Sequence, residues 1–324
     1  MSRVIRNLER ASRLLWRVGR GIGTLERDFY ARVVMPKLAS VPAPAAPNLN
    51  VDVVSLVCAS AVDMAIWTAR SLDYFSGYRW SQVWIDDGTL TPAIVERAKA
   101  ALPRLRVISH VEGQDILAKL LAPYPTCQRA AADHPIFRRA FLLAEVMRGD
   151  RAVCVDTDVL FFADPKEILA WATAPVATAR FMHDPITFYF PRLGKLTEWY
   201  GSPVTDHVNG GLNLVPAGWH DLDLTERFLA AFWDTPRRSW HIEQSILALQ
   251  MTRLNGTALS GEHEVSFLPE RLPYCVARHY VSAGPVRDYF YTEGIALLSR
   301  FLLAKPDTGI GAHSRATESA VLLA

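Results

Sequence analysis

Val153-Cys154-Val155-Asp156-Thr157-Asp158-Val159-Leu160-Phe161-Phe162 sets two carboxylates one residue apart inside an otherwise apolar run. Its β-branched and aromatic content predicts a strand buried in a parallel sheet. In a strand, residues i and i+2 share a face, so Asp156 and Asp158 are expected to point the same way. Two like charges that close, in apolar surroundings, are costly unless something positive lies between them. A divalent cation is the obvious candidate.

Upstream of that run the chain alternates. Asp52 to Cys58 reads as a first strand, Asp63 to Phe75 as a helix stopped by Gly77, and Ser81 to Ile85 as a second strand ending in Asp86-Asp87-Gly88-Thr89. Thr91 caps the next helix, Pro92 takes its first turn, and it runs through Ala101. Leu105 to Ser109 is a third strand, and Phe137 to Met147 a helix carrying Arg138 and Arg139 in its first turn. This order predicts an α/β fold with a parallel, doubly wound sheet. In such sheets ligands bind at the carboxyl ends of the strands.

Downstream the pattern changes. Asp164-Pro165-Lys166-Glu167 resembles a capping box, with Asp164 as cap and Glu167 reaching back. Turns become frequent, as at His183-Asp184-Pro185 and Gly201-Ser202-Pro203. Asn209-Gly210-Gly211 leads into a short strand, Leu224 to Trp233 is a helix, and Glu243 and Gln244 open another.

The chain has 324 residues, half of them hydrophobic, and a formal net charge of +2, a balance that implies no nucleic-acid partner. Cys58, Cys127, Cys154 and Cys275 form no CxxC pair and read as reduced core residues. No apolar run reaches the roughly 18–20 residues of a membrane span. No apolar h-region follows the Arg-rich start, so a secretory signal is not expected. The expected location is cytoplasmic, with peripheral attachment to the inner face of the membrane as the variant to test. Residues 1–40 read as a basic amphipathic helical extension in which Arg3, Arg6, Arg10, Arg13, Arg17 and Arg20 form one stripe. Such a helix suits either an anionic membrane surface or docking on protein. Residues 41–49 read as a Pro/Ala linker, 50–290 as the main domain, and 291–324 as a C-terminal helix and tail.

From about Asp52 to Arg287 these motifs resemble glycosyltransferase family 8, the group of lipopolysaccharide galactosyltransferases and glycogenin. The resemblance implies a GT-A-like (Rossmann-like), mostly parallel sheet flanked by helices, with a mixed, acceptor-side second half and the helical N-terminal extension. It implies transfer of a hexose from a nucleoside diphosphate sugar to a glycan or lipid-linked acceptor, with retention, as in polysaccharide synthesis. Asp156-Thr157-Asp158 matches the family's Asp-X-Asp motif, which holds Mn²⁺ or Mg²⁺ on the diphosphate. His279, with Gly284 and Arg287 downstream, is similar to the family's His-X-X-Gly-X-X-Lys segment, though two residues longer and with Arg for Lys. There the His is the third metal ligand and the basic residue meets the diphosphate. Arg139 matches a donor-contacting basic position, with Arg138 as the register alternative. Asn209-Gly210 matches the sugar-lining Asn-X-Gly step. Glu243-Gln244 matches the acidic-Gln pair that faces the reacting carbon, with Glu in place of Asp. At the fold level, Ala59 and Asp63 would border the nucleotide base, and Asp86 the base or ribose. Each residue also has a plain alternative: a solvated strand end, a surface arginine, a turn glycine or a structural histidine. Two rival functions are a nucleotidyltransferase, disfavoured because no basic Gly-rich loop follows Cys58, and a non-catalytic scaffold that keeps the fold.

Overall fold

The structure is a computed structural model describing residues 24–39, 46–234, 240–265, 267, 274–281 and 286–303. Its strands are β1 (Asn48–Val57), β2 (Arg79–Asp86), β3 (Leu105–Ile108), β4 (Arg151–Val155), β5 (Val159–Phe161), β6 (Arg180–His183), β7 (Val208–Pro216), β8 (Thr257–Ala258), β9 (His263–Val265) and β10 (Ala277–His279). Helices α1 (Val62–Ser76), α2 (Pro92–Ala101), α3 (His110–Leu120), α4 (Pro125–Asp133), α5 (Pro135–Val146), α6 (Lys166–Thr173), α7 (Leu193–Tyr200), α8 (Leu222–Phe232) and α9 (Trp240–Arg253) lie between them.

Seven strands form one sheet in the order β3-β2-β1-β4-β7-β6-β8. The run β3-β2-β1-β4 is parallel, and β7 is antiparallel to both β4 and β6. The two-residue side-chain period explains why the sheet is covered on both faces. Val53 and Val153 pack with Leu72 and Trp80, whereas Val54, Ala152 and Cys154 pack with Phe141 and Ile246. Leu72 comes from α1, Phe141 from α5 and Ile246 from α9, so helices from different parts of the chain sandwich the strands. The expected mostly parallel sheet with a mixed second half is therefore present.

The run Val153–Phe162 is not one strand. β4 stops at Val155, Asp156-Thr157-Asp158 turns, and Val159–Phe161 joins a second sheet ordered β5-β10-β9. The Val159 N–H donates to the Asp156 carbonyl across this turn at 3.3 Å. The physical reason is the one that makes the carboxylates conspicuous: a strand buried on both faces cannot hold them, whereas a turn at its carboxyl end carries both to a rim.

Local signals fared unevenly. Gly77 ends α1 with φ +70°, and the Thr91 hydroxyl accepts from the Ile94 N–H at 3.4 Å as an N-cap. Asp164 makes no cap: α6 follows Pro165 without a side-chain cap bond. Glu167 turns away to pair with Arg180 and to accept from the Ser260 N–H at 3.0 Å. A guanidinium is a stronger partner for that carboxylate than a nearby amide. All four cysteines are free, and Cys127, Cys154 and Cys275 are buried.

Residues 24–39 are helical, and Met35 packs with Trp67, Tyr280, Phe290 and Leu298. The latter two belong to a helical segment spanning Val286–Leu303. Residues 1–23, with their arginine stripe, most of the proposed linker and the tail beyond 303 lie outside the described residues. β1 begins at Asn48, within the span read as linker. No helix among the described residues is long and apolar enough to cross a membrane.

Candidate active site

Parallel pairing of β1 with β2 and β4 aligns their carboxyl ends on one edge. That edge carries Ala59 after β1, Asp86 at the end of β2 and the Asp156-Thr157-Asp158 turn after β4. The turn is anchored on three sides. The Thr68 hydroxyl of α1 donates to the Thr157 carbonyl at 2.8 Å, the Asp156 N–H to the Gly211 carbonyl at 2.8 Å, and the Tyr280 N–H to the Asp158 carbonyl at 2.9 Å.

These anchors bring His279 onto the carboxylates. Its Nε2 lies 3.2 Å from Asp158 Oδ1 and 3.7 Å from Asp156 Oδ2. One ligand atom from each of the three residues lies within 4.8 Å of the others. Asp158 and His279 are buried, and Asp156 keeps the partly open side. The imidazole reaches this position because residue 211 is glycine: a Cβ there would stand 2.2 Å from His279 Nδ1. Burial pulls the His279 pKa down, but the charges of Asp158 and Asp156 outweigh it and hold the ring above its ordinary value.

Arg139 of α5, not Arg138, faces the turn. Its guanidinium pairs with Asp156 and donates to Glu243 Oε1 at 3.1 Å. Burial works against its charge, but Asp156, Cys154 and Glu243 raise its pKa well above the ordinary value. For Glu243, burial is the main upward push and the Asp156 charge adds to it, against Arg139. Asp156, Asp158 and Glu243 set against Arg139 leave two negative charges, and Asp184 adds a third behind Asn209. Arg138 ties α5 to the β2–α2 loop through the Asp87 carbonyl at 3.2 Å.

The two amides expected to face a sugar are buried and tied into the protein. Asn209 Oδ1 accepts from the Gly211 N–H and lies opposite His279 Nδ1, both at 2.8 Å, and its Nδ2 donates to Asp184 Oδ2 at 2.7 Å. Gln244 Nε2 donates to the Val208 carbonyl at 2.9 Å and to Asp184 Oδ2 at 3.2 Å. Gln244 Oε1 is buried and has no hydrogen-bond partner among the described residues. Asp184, which the sequence marked only as a turn residue, joins both amides. Its one sequence signal was a carboxylate set between His183 and Pro185, two residues after the apolar Phe181-Met182 pair.

The remaining positions are more scattered. Asp86 Oδ1 accepts from the Gly88 and Leu90 N–H groups at 2.8 and 3.1 Å, which shapes its own loop. The Ala59 N–H donates to the Thr89 hydroxyl at 2.7 Å, joining the two loops at this edge. Asp63 pairs with Arg97 at 2.5 Å on the exposed side of α1. A Cβ at Gly210 would meet Arg139 and Glu243 only at 3.6 and 3.7 Å, an ordinary contact. Arg287 falls in a short helix, Val286–Tyr289, and its side chain lies outside the described residues, as does Gly284.

No family model matches the chain, and no curated protein sequence matches it. Solved structures do. The galactosyltransferase LgtC, solved with donor and acceptor sugar analogues, superposes with a TM-score of 0.54 at 15% identity, covering 79% of this chain and 98% of that one. Mouse xyloside xylosyltransferase 1 aligns with a TM-score of 0.49 at 12% identity, over 72% of this chain and 98% of its own. With its mostly parallel sheet, its antiparallel β7 and the Asp-X-Asp turn at the carboxyl edge, the chain has the GT-A glycosyltransferase fold.

Proposed function

We propose that this chain is a metal-dependent glycosyltransferase that moves a hexose from a nucleoside diphosphate sugar to an acceptor hydroxyl. A UDP-sugar is the first donor to test, and retention of anomeric configuration is the expected outcome. The observation that carries this reading is the convergence of Asp156, Asp158 and His279 at the carboxyl edge of a GT-A sheet.

The donor set fits Mn²⁺ or Mg²⁺. Two carboxylates suit a hard cation, and an imidazole suits Mn²⁺ better than Mg²⁺. Adjacent ligands of an octahedral ion with bonds of about 2.1 Å stand about 3 Å apart, close to the 3.2 Å between His279 Nε2 and Asp158 Oδ1. When bound, the cation supplies electrostatic stabilisation of the charge developing on the diphosphate leaving group.

The chain's own residues have separable roles in this proposal. Asp156, Asp158 and His279 hold the cation. Arg139 occupies one oxygen of Asp156 and so aims the other at His279, serving the donor through that carboxylate. Arg287 would meet the diphosphate, for which a guanidinium is well shaped. Ala59 and Asp86 would border the nucleoside, and Gly210 leaves room beside Glu243. Gln244 offers Oε1, and Glu243 offers a carboxyl whose pKa burial raises; both would face the sugar. Asn209 serves the site by holding His279. The acceptor would be a glycan or a lipid-linked saccharide.

The test is binding of a nucleotide-sugar panel with Mn²⁺ and with chelator, for the wild type and Asp158→Ala. Metal-dependent binding lost in the variant supports the reading; metal-independent binding, or none, removes it. Peripheral membrane attachment through residues 1–40 is a separate part of the proposal. It is supported by the exposure of Leu25, Phe29 and Val33, four residues apart, beside the arginine-rich sequence. Equal flotation on anionic vesicles with and without residues 1–40 would remove it.

A further inference from the structure

Two groups around the site have hydrogen-bonding roles that no rotation can change. The Gly211 backbone N–H can only donate, and the Asp184 carboxyl, met by three N–H groups, accepts at both oxygens. Asp184 is 2% exposed, and its Oδ2 is met by both Asn209 Nδ2 at 2.7 Å and Gln244 Nε2 at 3.2 Å. Its Oδ1 accepts from the Ile186 N–H at 3.1 Å. Both amides must therefore turn their NH₂ ends toward Asp184.

For Asn209 the result is doubly determined. Asp184 takes the NH₂ end, and the Gly211 N–H at 2.8 Å takes Oδ1. The same Oδ1 faces His279 Nδ1 at 2.8 Å, so Nδ1 must carry the hydrogen. In the neutral ring the lone pair then sits on Nε2, the nitrogen 3.2 Å from Asp158 Oδ1. For Gln244, the second NH₂ hydrogen goes to the Val208 carbonyl at 2.9 Å. Oε1 is thereby the end left bare, in a residue only 4% exposed.

We infer that Asp184 is a positioning residue that sets, through its Oδ2, both the imidazole nitrogen presented to the cation pocket and the oxygen of Gln244 presented to the substrate. This rests on the proposed reading of that pocket as a cation site. Through Asp184, Asn209 and Gln244 share one acceptor, so the metal side and the sugar side of the site are oriented together. What meets Gln244 must bring a donor, which a sugar hydroxyl does.

The experiment uses the full chain with Asp184→Asn and Asn209→Ala, and with His279→Ala and Asp158→Ala as reference variants. Mn²⁺ affinity is read from the free-ion EPR signal. The tautomer of His279 is read by long-range ¹H–¹⁵N NMR with the ring neutral, on metal-free protein carrying Asp158→Ala, so that the carboxylate 3.2 Å from Nε2 does not compete for the ring hydrogen. The expected result is a 10- to 100-fold weaker Mn²⁺ Kd for Asp184→Asn and for Asn209→Ala, the scale at which partners of metal ligands act. The double variant should be little worse than either single one, because both cut the same chain of contacts. In that background the ring should hold its hydrogen on Nδ1 while Asp184 and Asn209 are intact, and either further substitution should shift population to the Nε2–H form. A merely structural role for Asp184 would not move that population. If Asp184→Asn does not fold, Asn209→Ala carries the same test with Asp184 intact. Wild-type affinity and an unchanged tautomer in a folded variant overturn the inference. Undiminished Mn²⁺ binding by His279→Ala and Asp158→Ala would instead overturn the cation reading, and the tautomer populations would still decide the role of Asp184.

Discussion

Two adjacent glycines in β7 should respond oppositely to the same substitution. At Gly211 an added Cβ would lie 2.2 Å from His279 Nδ1, 2.6 Å from Cε1 and 2.7 Å from Cγ. Ordinary contact starts at 3.4 Å, so the imidazole must retreat by about 1.2 Å. Metal–ligand bonds are about 2.1 Å long, so that shift would take His279 out of the proposed cation site. It also pulls Nδ1 away from Asn209 Oδ1. Gly211→Ala is therefore expected to weaken Mn²⁺ binding by at least about tenfold, or ~1.4 kcal/mol, and to cost ~1–3 kcal/mol of stability through overpacking. At Gly210 the same methyl group meets Arg139 and Glu243 at 3.6 and 3.7 Å, and the backbone is not left-handed. Gly210→Ala should bind Mn²⁺ as the wild type does and be neutral or up to ~1 kcal/mol more stable. Free Mn²⁺ measured by EPR during titration, with urea unfolding in parallel, reads both quantities. Equal Mn²⁺ affinity in Gly211→Ala and the wild type, or equal loss in the two variants, refutes the steric reasoning.

Other perturbations follow from the same physics. Arg139→Met should destabilise the protein by about 3–5 kcal/mol in chemical unfolding, because it strands Asp156 and buried Glu243 without their cation. Arg139→Met combined with Glu243→Leu should recover part of that loss; no recovery would mean the pair is not the cause. His220 is half-buried, stacked on Phe141 with Nδ1 2.8 Å from the Ala140 carbonyl, and desolvation lowers its pKa to about 4. Its folded pKa lies below the unfolded value of about 6.5, so its contribution is complete above that pH. It is lost between roughly 6.5 and 4, amounting to about 3 kcal/mol. An His220 Cε1 proton that titrates near pH 6.5 would contradict this. Glu226 of α8 accepts from the Thr126 and Cys127 N–H groups at the start of α4, at 2.9 and 2.8 Å. Burial raises its pKa, but those N–H bonds outweigh it and lower the value, so its contribution is lost as pH falls through the folded pKa. Glu226→Gln should cost about 1 kcal/mol in a thermal melt at neutral pH, the scale of a helix cap, and a variant as stable as the wild type would remove the role.

What was legible in the sequence were features written over a few neighbouring residues. Apolar runs such as Asp52–Cys58 and the alternation with helices predicted the parallel half-sheet, and Thr91-Pro92 and Gly77 marked helix ends within a residue or two. The Asp156-Thr157-Asp158 motif was visible, but its conformation was not, because apolar residues continue on both sides and only the second sheet shows that the chain turns. Asn209 illustrates the other limit. An asparagine can donate and accept in either direction, and its partners Asp184 and His279 are 25 and 70 residues away. No local pattern could tell an amide turned toward a sugar from one turned inward to a histidine. Asp184 escaped notice for the same reason, and the Glu167 carboxylate misled because Arg180, its partner, lies outside the helix start.

The Asp156-Thr157-Asp158 turn is also the joint between the two sheets. Asp156 hangs from β7 in the large sheet through Gly211, whereas Asp158 binds Tyr280, which follows β10 in the small one. His279 belongs to the small sheet, so an ion held by all three residues would rivet one sheet to the other. Cation concentration would then govern mechanical coherence as well as chemistry. At a hundred times Kd, binding adds about 2.7 kcal/mol to the joined state. Hydrogen exchange would report it as slower opening of β5 and β10 while the β3-β2-β1-β4 half stays unchanged. On the proposed reading, such a protein would complete its small-sheet half only where the ion is available.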